Sequence, residues 1–430
     1  MFPLFTLAFL AGSNSAFAGK FILADAIVHT VSGETLSPGM VAIDEGRIVE
    51  VGTNVRIAGA VVSLKGLHLY PGLIALNTAL GLSEISGVRS TRDNAEVGDY
   101  TPEVESWIAV NPDSELLPVA RANGVTHIEP APQGGVVAGQ SGLVALSGWT
   151  TEQMAIRKTA ALHVYWPNMD LDVRPKEKFA DKTKWKSLDE QAKLRQSKIR
   201  ALEEFFDEAR AYEKAVSAPA TPRAPEKVPA WEAMRPFVRG EKPIFVHADD
   251  LRQIKAALKW ADTNQFKIVL VGARDAVMLS GEIAAQKVPV IYEHVFTQPA
   301  RDTERYDVHF RSPAILRTNG VTLALGMGAT TFDAGLVKNL PYVASQAIAF
   351  GLPESDALKS ITLVPAQLLG VDERLGSIEA GKEATLFASD GNIFDIRSNV
   401  KRLWIGGKEI LLDTRHTRLY GKYKDRPRAQ

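Results

Sequence analysis

The sequence predicts an α/β fold built around a closed barrel of parallel strands. Through the middle of the chain, short apolar runs alternate with helical patterns, an order that builds a parallel sheet. With about eight such units in ~300 residues, a closed barrel is the favoured topology. Both chain ends are rich in strand patterns instead, so we expect a second, β-rich body beside the barrel.

The strand patterns of the two ends are short and alternating. Residues 21–30 alternate partly and are rich in Ile and Val, and residues 40–51 form two apolar-alternating arms around an Asp-Glu-Gly turn, which indicates a hairpin. Near the other end, residues 384–388 and 400–405 are typical of strands. The Gly-Gly pair at 406–407 then predicts a tight turn.

The central units follow one another at regular spacing. Strands are predicted at residues 73–76, 125–128, 143–146, 243–248, 267–271, 288–292 and 320–325. Helices are predicted at residues 114–123, 249–262, 274–285, 312–319, 340–350 and 354–369. One of these helices opens with Asp249 and Asp250, acids that suit the positive N-terminal end of a helix dipole.

A charged segment interrupts the alternation. Residues 176–216 are dense in Lys, Glu and Ala, and a Pro-rich run at 217–229 is typical of an extended linker. Four apolar residues of the charged segment fall on one helical face: Ile199, Leu202, Phe206 and Ala209. We interpret residues 170–235 as a helical and Pro-rich insertion with one packed stripe; a lid or dimer arm is the alternative.

Composition limits the classes of function. The chain has 430 residues, 45% hydrophobic and 23% charged, which is typical of a globular protein. Its formal net charge is zero, so the chain as a whole has no preference for nucleic acid or an anionic membrane. The zero net charge does not exclude local basic patches. Cysteine is absent, so the sequence has no disulfide, thiol nucleophile or thiolate metal site.

The first residues predict export. An apolar run from Phe2 to Leu10 precedes the small-x-small sequence Ala-Phe-Ala at 16–18. We therefore expect residues 1–18 to be a signal peptide, the mature protein to begin near Gly19, and the protein to be periplasmic or secreted. A buried N-terminal strand is the alternative. No other run approaches the roughly 20 apolar residues of a membrane span.

Three segments carry a resemblance to the amidohydrolase superfamily. Residues 70–74 (YPGLI) resemble its entry into the first barrel strand, and residues 361–366 (ITLVPA) resemble its last barrel helix. Residues 375–386 (LGSIEAGKEATL) resemble its return into a β-sandwich, a specific motif because few other families place it before a strand. Within the superfamily, the chain is most similar to exported members related to imidazolonepropionase.

The resemblance implies the fold in more detail. It is a distorted (β/α)8 TIM barrel plus a small composite β-sandwich built from both chain ends. We expect residues 70–370 to form the barrel, residues 19–65 plus 372–412 to form the sandwich, and residues 413–430 to form a basic C-terminal tail.

The resemblance also implies a metal site, from which most ligands are missing. In the family, strand one carries His-x-His, strands five and six carry histidines, and strand eight carries an Asp that acts as general base. Such a metal needs three or four N or O ligands and an open position for water. Here Asn77 and Ala79 replace the first pair, residues 271–272 offer no histidine, and residues 325–328 have glycine at the Asp position. Only His247, on strand five, matches.

A weak site therefore replaces the usual one in our prediction. At most one divalent metal ion is expected, with His247 and His294 as its ligands. A neutral amide such as that of Asn77 is a poor ligand, so the site should favour hard cations over zinc. The alternative for both histidines is a hydrogen-bonded position at the barrel mouth without a metal.

The loops after the strands supply the remaining candidates. Glu84 is a candidate base in place of the missing Asp, and Asp333 is a second. Arg89 and Arg92 are candidates to clamp an anionic group of the substrate bidentately. Asn77 is also a candidate for substrate binding, as is Ser141, at the end of a glycine-rich loop at 133–141. Loops held by internal ion pairs and simple turn glycines are the alternatives.

Two histidines lack a partner pattern in the sequence. We expect His68 and His163 to be packing or surface residues.

Two classes of function remain. The first is an exported hydrolase of C–N bonds other than peptide bonds, acting on a small molecule such as a cyclic amide or a dipeptide-like compound. The second is a non-catalytic barrel that binds a small molecule or a partner protein. The sequence leaves the substrate and homo-oligomer formation open. Fold alone does not choose between the two classes.

Overall fold

The structure is a computed structural model that describes residues 19–218 and 226–426. The expected signal peptide lies outside the described residues, as do residues 219–225 of the Pro-rich run and the last four residues of the basic tail. None of the helices in the described ranges combines the length and apolar character that a bilayer crossing needs.

The first chain end contributes five strands to an eight-stranded sheet. They are β1 (Phe21–Val28), β2 (Leu36–Asp44), β3 (Arg47–Gly52), β4 (Ala60–Ser63) and β5 (His68–Pro71). The predicted hairpin is present between β2 and β3. Its two turn residues, Glu45 and Gly46, both have positive φ, which is what a two-residue hairpin turn requires.

The next eight strands form the barrel sheet. They are β6 (Leu73–Thr78), β7 (Val125–Pro130), β8 (Val137–Ala145), β9 (Ala155–Tyr165), β10 (Ile244–Ala248), β11 (Ile268–Gly272), β12 (Val290–Tyr292) and β13 (Leu323–Leu325). Neighbouring strands pair in chain order from β6 to β13, so the sheet is a nearly closed barrel, as predicted. Gly72 joins β5 to β6, at a point where a Cβ atom would overlap the Thr126 side chain.

The barrel is distorted at β8, which runs antiparallel to both β7 and β9. The connection of residues 131–136 is too short for the crossover of a dozen or more residues that parallel strands need. The expectation of a loop at 133–141 was therefore wrong, because most of this segment is β8. The strand β9 was not predicted, because Arg157 and Lys158 interrupt its apolar pattern.

Eleven α-helices are present in the described residues. They are α1 (Leu116–Arg121), α2 (Thr151–Met154), α3 (Leu188–Ser217), α4 (Pro229–Val238), α5 (Leu251–Asn264), α6 (Ser280–Ala285), α7 (Val308–Thr318), α8 (Leu340–Ala349), α9 (Glu354–Ser360), α10 (Leu363–Leu368) and α11 (Arg415–Tyr423). The predicted helix at 354–369 is split into α9 and α10.

The insertion packs on the barrel through the predicted stripe. Leu202, Phe206 and Ala209 of α3 are fully buried. The Phe206 ring lies 4.9 Å from the Trp260 ring of α5 and 5.1 Å from the Phe266 ring, measured between centroids. Aromatic contacts of this kind fix the position of the long helix on the outer layer of the barrel.

The second chain end returns to the first sheet. Its strands are β14 (Leu386–Ser389), β15 (Val400–Ile405) and β16 (Lys408–Glu409), and β14 pairs antiparallel with β5. The predicted tight turn lies between β15 and β16, with positive φ at Gly406 and Gly407. Strands from both chain ends thus share one sheet, from which β5 leads directly into the barrel.

Candidate active site

Polar side chains gather where the barrel strands end. We call this end the barrel mouth; it is the face on which barrels of this type place their functional groups. Six residues form a connected hydrogen-bonded cluster there, the mouth network: Asn77, Glu129, Ser141, His163, His247 and Glu293. Five of these residues lie in β6, β7, β8, β9 and β10, and the sixth follows β12 directly.

Asn77 connects two carboxylates. It has a φ of 47°, a left-handed conformation that Asn tolerates better than most residues. Its backbone N–H donates to Glu129 Oε2 at 2.6 Å, and its side-chain amide donates to Glu293 Oε1 at 2.7 Å. Its Oδ1 atom is buried and finds no partner in the described residues. Asn77 therefore holds both carboxylates in place and leaves one acceptor unsatisfied.

The two histidines form a chain that ends on Glu129. His163 Nε2 lies 2.9 Å from Glu129 Oε1, and His163 Nδ1 lies 2.9 Å from His247 Nε2. Because an ionised carboxylate only accepts, Glu129 assigns the proton of His163 to Nε2. His163 Nδ1 then accepts from His247 Nε2–H, and the lone pair of His247 is placed on Nδ1. The His247 ring stacks on Tyr165 at 3.9 Å between centroids.

Burial sets the charge of two groups in the network. Burial, followed by the neighbouring His163, lowers the pKa of His247 well below 6.5, so this ring is neutral. Burial also raises the pKa of Glu293 well above 4.5. The hydrogen bond from Asn77 opposes that rise, while the nearby charges of Asp249, Asp333 and Glu129 add to it. The mouth thus pairs a neutral base with a carboxyl group that holds its proton.

Two carboxylates occupy the space above glycines of the neighbouring strands. A Cβ atom placed on Gly326 would lie 3.1 Å from both Cγ and Oε1 of Glu293. A Cβ atom placed on Gly272 would lie 2.5 Å from Oδ1 of Asp249. These glycines lie within residues 325–328 and 271–272, the segments in which the resemblance expects the strand-eight Asp and the strand-six histidine. Side chains from adjacent strands therefore fill both places.

The comparisons with known proteins agree with this architecture. Residues 266–410 match the model of the amidohydrolase family. A crystal structure of an amidohydrolase from Thermotoga maritima MSB8 superimposes with a TM-score of 0.78 at 25% identity, covering 91% of this chain and 99% of that one. Residues 266–410 therefore carry an amidohydrolase family domain, and the chain is similar to an amidohydrolase over nearly its whole length. A domain of this family supports a hydrolase.

Two proteins with lower identity to this chain extend the comparison. The curated amidohydrolase tasK of Hapsidospora irregularis is 22% identical over 407 residues, which cover 86% of this chain. The chain spans only 39% of the length of that relative. An adenosine deaminase from Xanthomonas campestris with bound zinc has a TM-score of 0.51 at 17% identity, covers 94% of this chain and 97% of its own, and shows the shared fold.

The donor atoms at the mouth do not fit the metal centre of the superfamily. Within residues 19–218 and 226–426, no three His, Asp or Glu side chains come together in a group that could hold a metal ion. Both nitrogens of His163 and both oxygens of Glu129 are engaged in hydrogen bonds to protein groups. His294 Nε2 pairs separately with Asp249 Oδ1 at 2.7 Å. His247 and His294 therefore belong to different hydrogen-bonded pairs, and their role as ligands stays a prediction.

Of the predicted loop candidates, Glu84, Arg89 and Arg92 make no hydrogen bond to the network within residues 19–218 and 226–426. Glu84 Oε1 and Arg92 Nε are both buried without a partner in the described part of the chain. Arg89 is exposed and donates to the backbone oxygen of Arg92 at 3.3 Å, so the two guanidinium groups do not form a common clamp. Asp333, by contrast, lies near enough to Glu293 for its charge to raise the pKa of that group. Asp333 accepts hydrogen bonds from the backbone and hydroxyl of Thr330, which fixes the loop after β13.

Two expectations from the sequence need correction. Ser141 lies within β8, fully buried, with its hydroxyl 2.8 Å from His163 Nε2, so it does not end a loop at the mouth. His163 is neither a simple packing residue nor a surface residue, because it stands at the centre of the mouth network. His68 also has a partner, since its Nδ1 lies 2.9 Å from His29 Nε2.

Neither Glu129 nor Glu293 was among the candidate site residues from the sequence. Glu129 is a charged residue inside the strand sequence VTHIEP, every residue of which is buried. A charge at such a position is costly unless it is paired, and that cost was the available signal. For Glu293, the available signal was its position directly after the apolar strand VIY.

A cavity of about 340 Å³ lies beside the mouth. Its lining includes Asp93, Glu105, Pro132 and Ala138 but no member of the mouth network. Tyr165 stands between the two, because its ring stacks on His247 and its hydroxyl donates to the Pro132 oxygen at 3.0 Å. We place the chemistry at the mouth network, where ionisable groups with shifted pKa values meet.

Proposed function

We propose that this protein hydrolyses C–N bonds other than peptide bonds in a small molecule, at a site rebuilt around Glu293. The observation that carries the proposal is the position of the Glu293 carboxyl group over Gly326, in the segment where the resemblance puts the catalytic Asp. The amidohydrolase family domain supports hydrolysis, and the raised pKa of Glu293 suits a group that gives and takes protons.

His247 supplies the base in this proposal. Its Nδ1 lone pair accepts a proton from water while the water oxygen forms a bond to the carbonyl carbon of the substrate. His163 and Glu129 keep the ring in the required tautomer and stabilise the imidazolium that forms. Glu293 then gives its proton to the leaving nitrogen as the C–N bond breaks. Return of the proton from His247 to Glu293 through water restores the starting state.

The two proposed catalytic groups lie two strands apart. β11 lies between β10, which carries His247, and β12, which leads into Glu293. Two strand spacings place these backbones about 9–10 Å apart. The substrate carbonyl group would then bind between the two side chains, next to Asp249, which lies over Gly272 of β11.

The test compares two glutamine substitutions on a panel of cyclic amides, N-acyl compounds and dipeptide-like compounds. Glu293→Gln keeps the shape of the side chain and removes its proton chemistry, so kcat should fall roughly 10²–10⁴-fold. Glu282→Gln, an exposed glutamate of α6, is the matched control and should leave kcat unchanged.

The pH profile supplies a second readout. The productive form has neutral His247 and protonated Glu293, so activity should decline on the alkaline side as Glu293 ionises. Residual activity of Glu293→Gln should lack that alkaline decline. Equal rates for Glu293→Gln and the unmodified protein on the same substrate would refute the role of Glu293.

One observation favours a second candidate, a non-catalytic barrel that binds a small molecule or a partner protein. Most polar atoms of the mouth network already satisfy one another, as in a purely structural core. Calorimetric binding of a compound that is recovered unchanged, with binding retained in Glu293→Gln, would favour this candidate.

We also propose that the protein acts outside the cytoplasm. The apolar run and the Ala-Phe-Ala sequence before Gly19 support this proposal. N-terminal sequencing of protein recovered from the periplasm or medium should find Gly19 first. Recovery of extracytoplasmic protein that still begins at Met1 would contradict cleavage.

A further inference from the structure

Helix α11 lies against the barrel without burying any of its side chains. A capping box at Thr414 starts the helix, with the backbone N–H of Thr417 donating to its hydroxyl at 3.2 Å. Arg418 then attaches the helix to the body, because its Nη2 donates to both oxygens of Glu115 at 2.8 and 2.9 Å. Polar contacts therefore hold α11 in place.

The apolar side chains of α11 face the other way. Leu419, Tyr420 and Tyr423 follow the spacing of one helical stripe. At 3.6 residues per turn, Tyr420 lies about 160° around the axis from Arg418. The three side chains are 41%, 72% and 51% exposed. Surface helices normally turn the apolar face toward the core, so the orientation of α11 is the reverse of the usual one.

Cations surround the exposed stripe. Arg415, Lys422, Lys424 and Arg426 lie in or next to α11. Among residues 19–218 and 226–426, none of these four has a carboxylate within 4.0 Å; Arg418 is the cation of this segment that forms ion pairs. The chain as a whole has zero formal net charge, so this basic surface is a local concentration.

We propose that α11 is a docking surface for a membrane rich in anionic lipid. Lys and Arg attract anionic headgroups, and Tyr is a residue of the membrane interface. A second copy of the chain fits less well: a stable dimer buries about 800 Å² per partner, more than one leucine and two partly exposed tyrosines offer. A lipid surface requires no such matched area, and binding of this kind is reversible and weakened by salt.

The test uses the purified full-length protein and two sets of vesicles. Co-sedimentation should show binding at low salt to vesicles of mixed phosphatidylglycerol and phosphatidylcholine, and about tenfold less to phosphatidylcholine alone. The double substitution Tyr420→Ser and Tyr423→Ser should lower binding to the anionic vesicles about tenfold. Tyr306→Ser, at a tyrosine that is 75% exposed elsewhere on the surface, is the matched control and should bind normally.

A second pair of substitutions isolates the charge. Lys422→Gln with Lys424→Gln leaves the apolar stripe intact and should remove the preference for the anionic vesicles. Circular dichroism of each variant shows whether the fold is kept. Absence of vesicle binding at low salt, or unchanged binding of the double tyrosine variant, would overturn the proposal. A dimer in light scattering that the tyrosine variant abolishes would overturn it in favour of a second copy.

Discussion

Two histidine pairs in this protein share one geometry and differ in what surrounds them. In the mouth network, His163 Nδ1 lies 2.9 Å from His247 Nε2. In the first sheet, where β1 ends and β5 begins, His29 Nε2 lies 2.9 Å from His68 Nδ1. The mouth pair ends on the Glu129 carboxylate. The other pair stacks on Tyr70, with the His29 and Tyr70 rings 4.2 Å apart.

The difference shows which feature allows a histidine pair to act in proton transfer. A carboxylate at one end assigns every proton along the chain and directs one lone pair to the mouth. Without a hydrogen-bonded carboxylate, as at His29, the two rings can exchange donor and acceptor roles, and the pair serves packing. The comparison therefore predicts that changes at the carboxylate affect activity, whereas changes at the other pair affect stability.

Between the two histidine pairs, the largest effect is expected from Glu129→Gln. Glutamine keeps the shape and can still accept from the Asn77 backbone, but it no longer requires a proton on His163 Nε2. Loss of the fixed tautomer should lower kcat by roughly 10²–10³-fold, measured on the best substrate of the panel. Tyr70→Phe, in the other cluster, is the control and should keep full activity. Equal kcat values for the two variants would show that the Glu129 carboxylate does not distinguish the two histidine pairs in their effect on activity.

A smaller effect is expected from Gly326→Ala. The added Cβ would lie 3.1 Å from Cγ and Oε1 of Glu293, so the carboxyl group must shift by a few tenths of an ångström. Such a displacement of a catalytic group should lower kcat about tenfold without unfolding the protein. The matched control is Gly281→Ala, because nothing lies within 4 Å of a Cβ atom there. An unchanged kcat in Gly326→Ala would mean that the position of Glu293 over this glycine has no catalytic importance.

The barrel could be predicted from the sequence because its signals are local. The strand at residues 244–248 is indicated by its apolar run. The helix that starts at Leu251 is indicated by its apolar periodicity and by its capping residue Asp250. The strand predicted at 143–146 is the end of β8, whose first part was missed because the sequence VAGQSG contains glycines that are typical of a loop. Burial on both faces, which only the complete barrel provides, makes this segment a strand.

The mouth network could be predicted only in part. His247 was found because it ends a clear strand and matches a ligand position of the superfamily. Glu129 and His163 were not, since they meet only when β7, β8 and β9 come together through short connections. The replacement of the strand-eight Asp by Glu293 from the neighbouring strand is a relation in space, and no spacing along the chain encodes it.

The smallest effect is expected at the second histidine pair, as a dependence of stability on pH. Burial, followed by the charge of His68, lowers the pKa of His29 from 6.5 to about 4. Between these two values the unfolded chain binds the proton more readily than the folded protein, so acidification from about pH 6.5 to 4 should destabilise the fold. The ring is partly exposed, which reduces the cost to about 1–2 kcal/mol.

Replacement of the titrating ring should remove this dependence. Both proteins are compared by the loss in free energy of unfolding between pH 7 and pH 4.5. This loss should be about 1 kcal/mol smaller in His29→Gln than in the unmodified protein. His416→Gln, at an exposed histidine of α11, is the matched control and should keep the full dependence. Urea unfolding at the two pH values measures the difference. If both variants lost stability equally on acidification, the His29 pair would not cause the pH dependence of stability. Only the effects on kcat would then distinguish this pair from the pair that is bonded to Glu129.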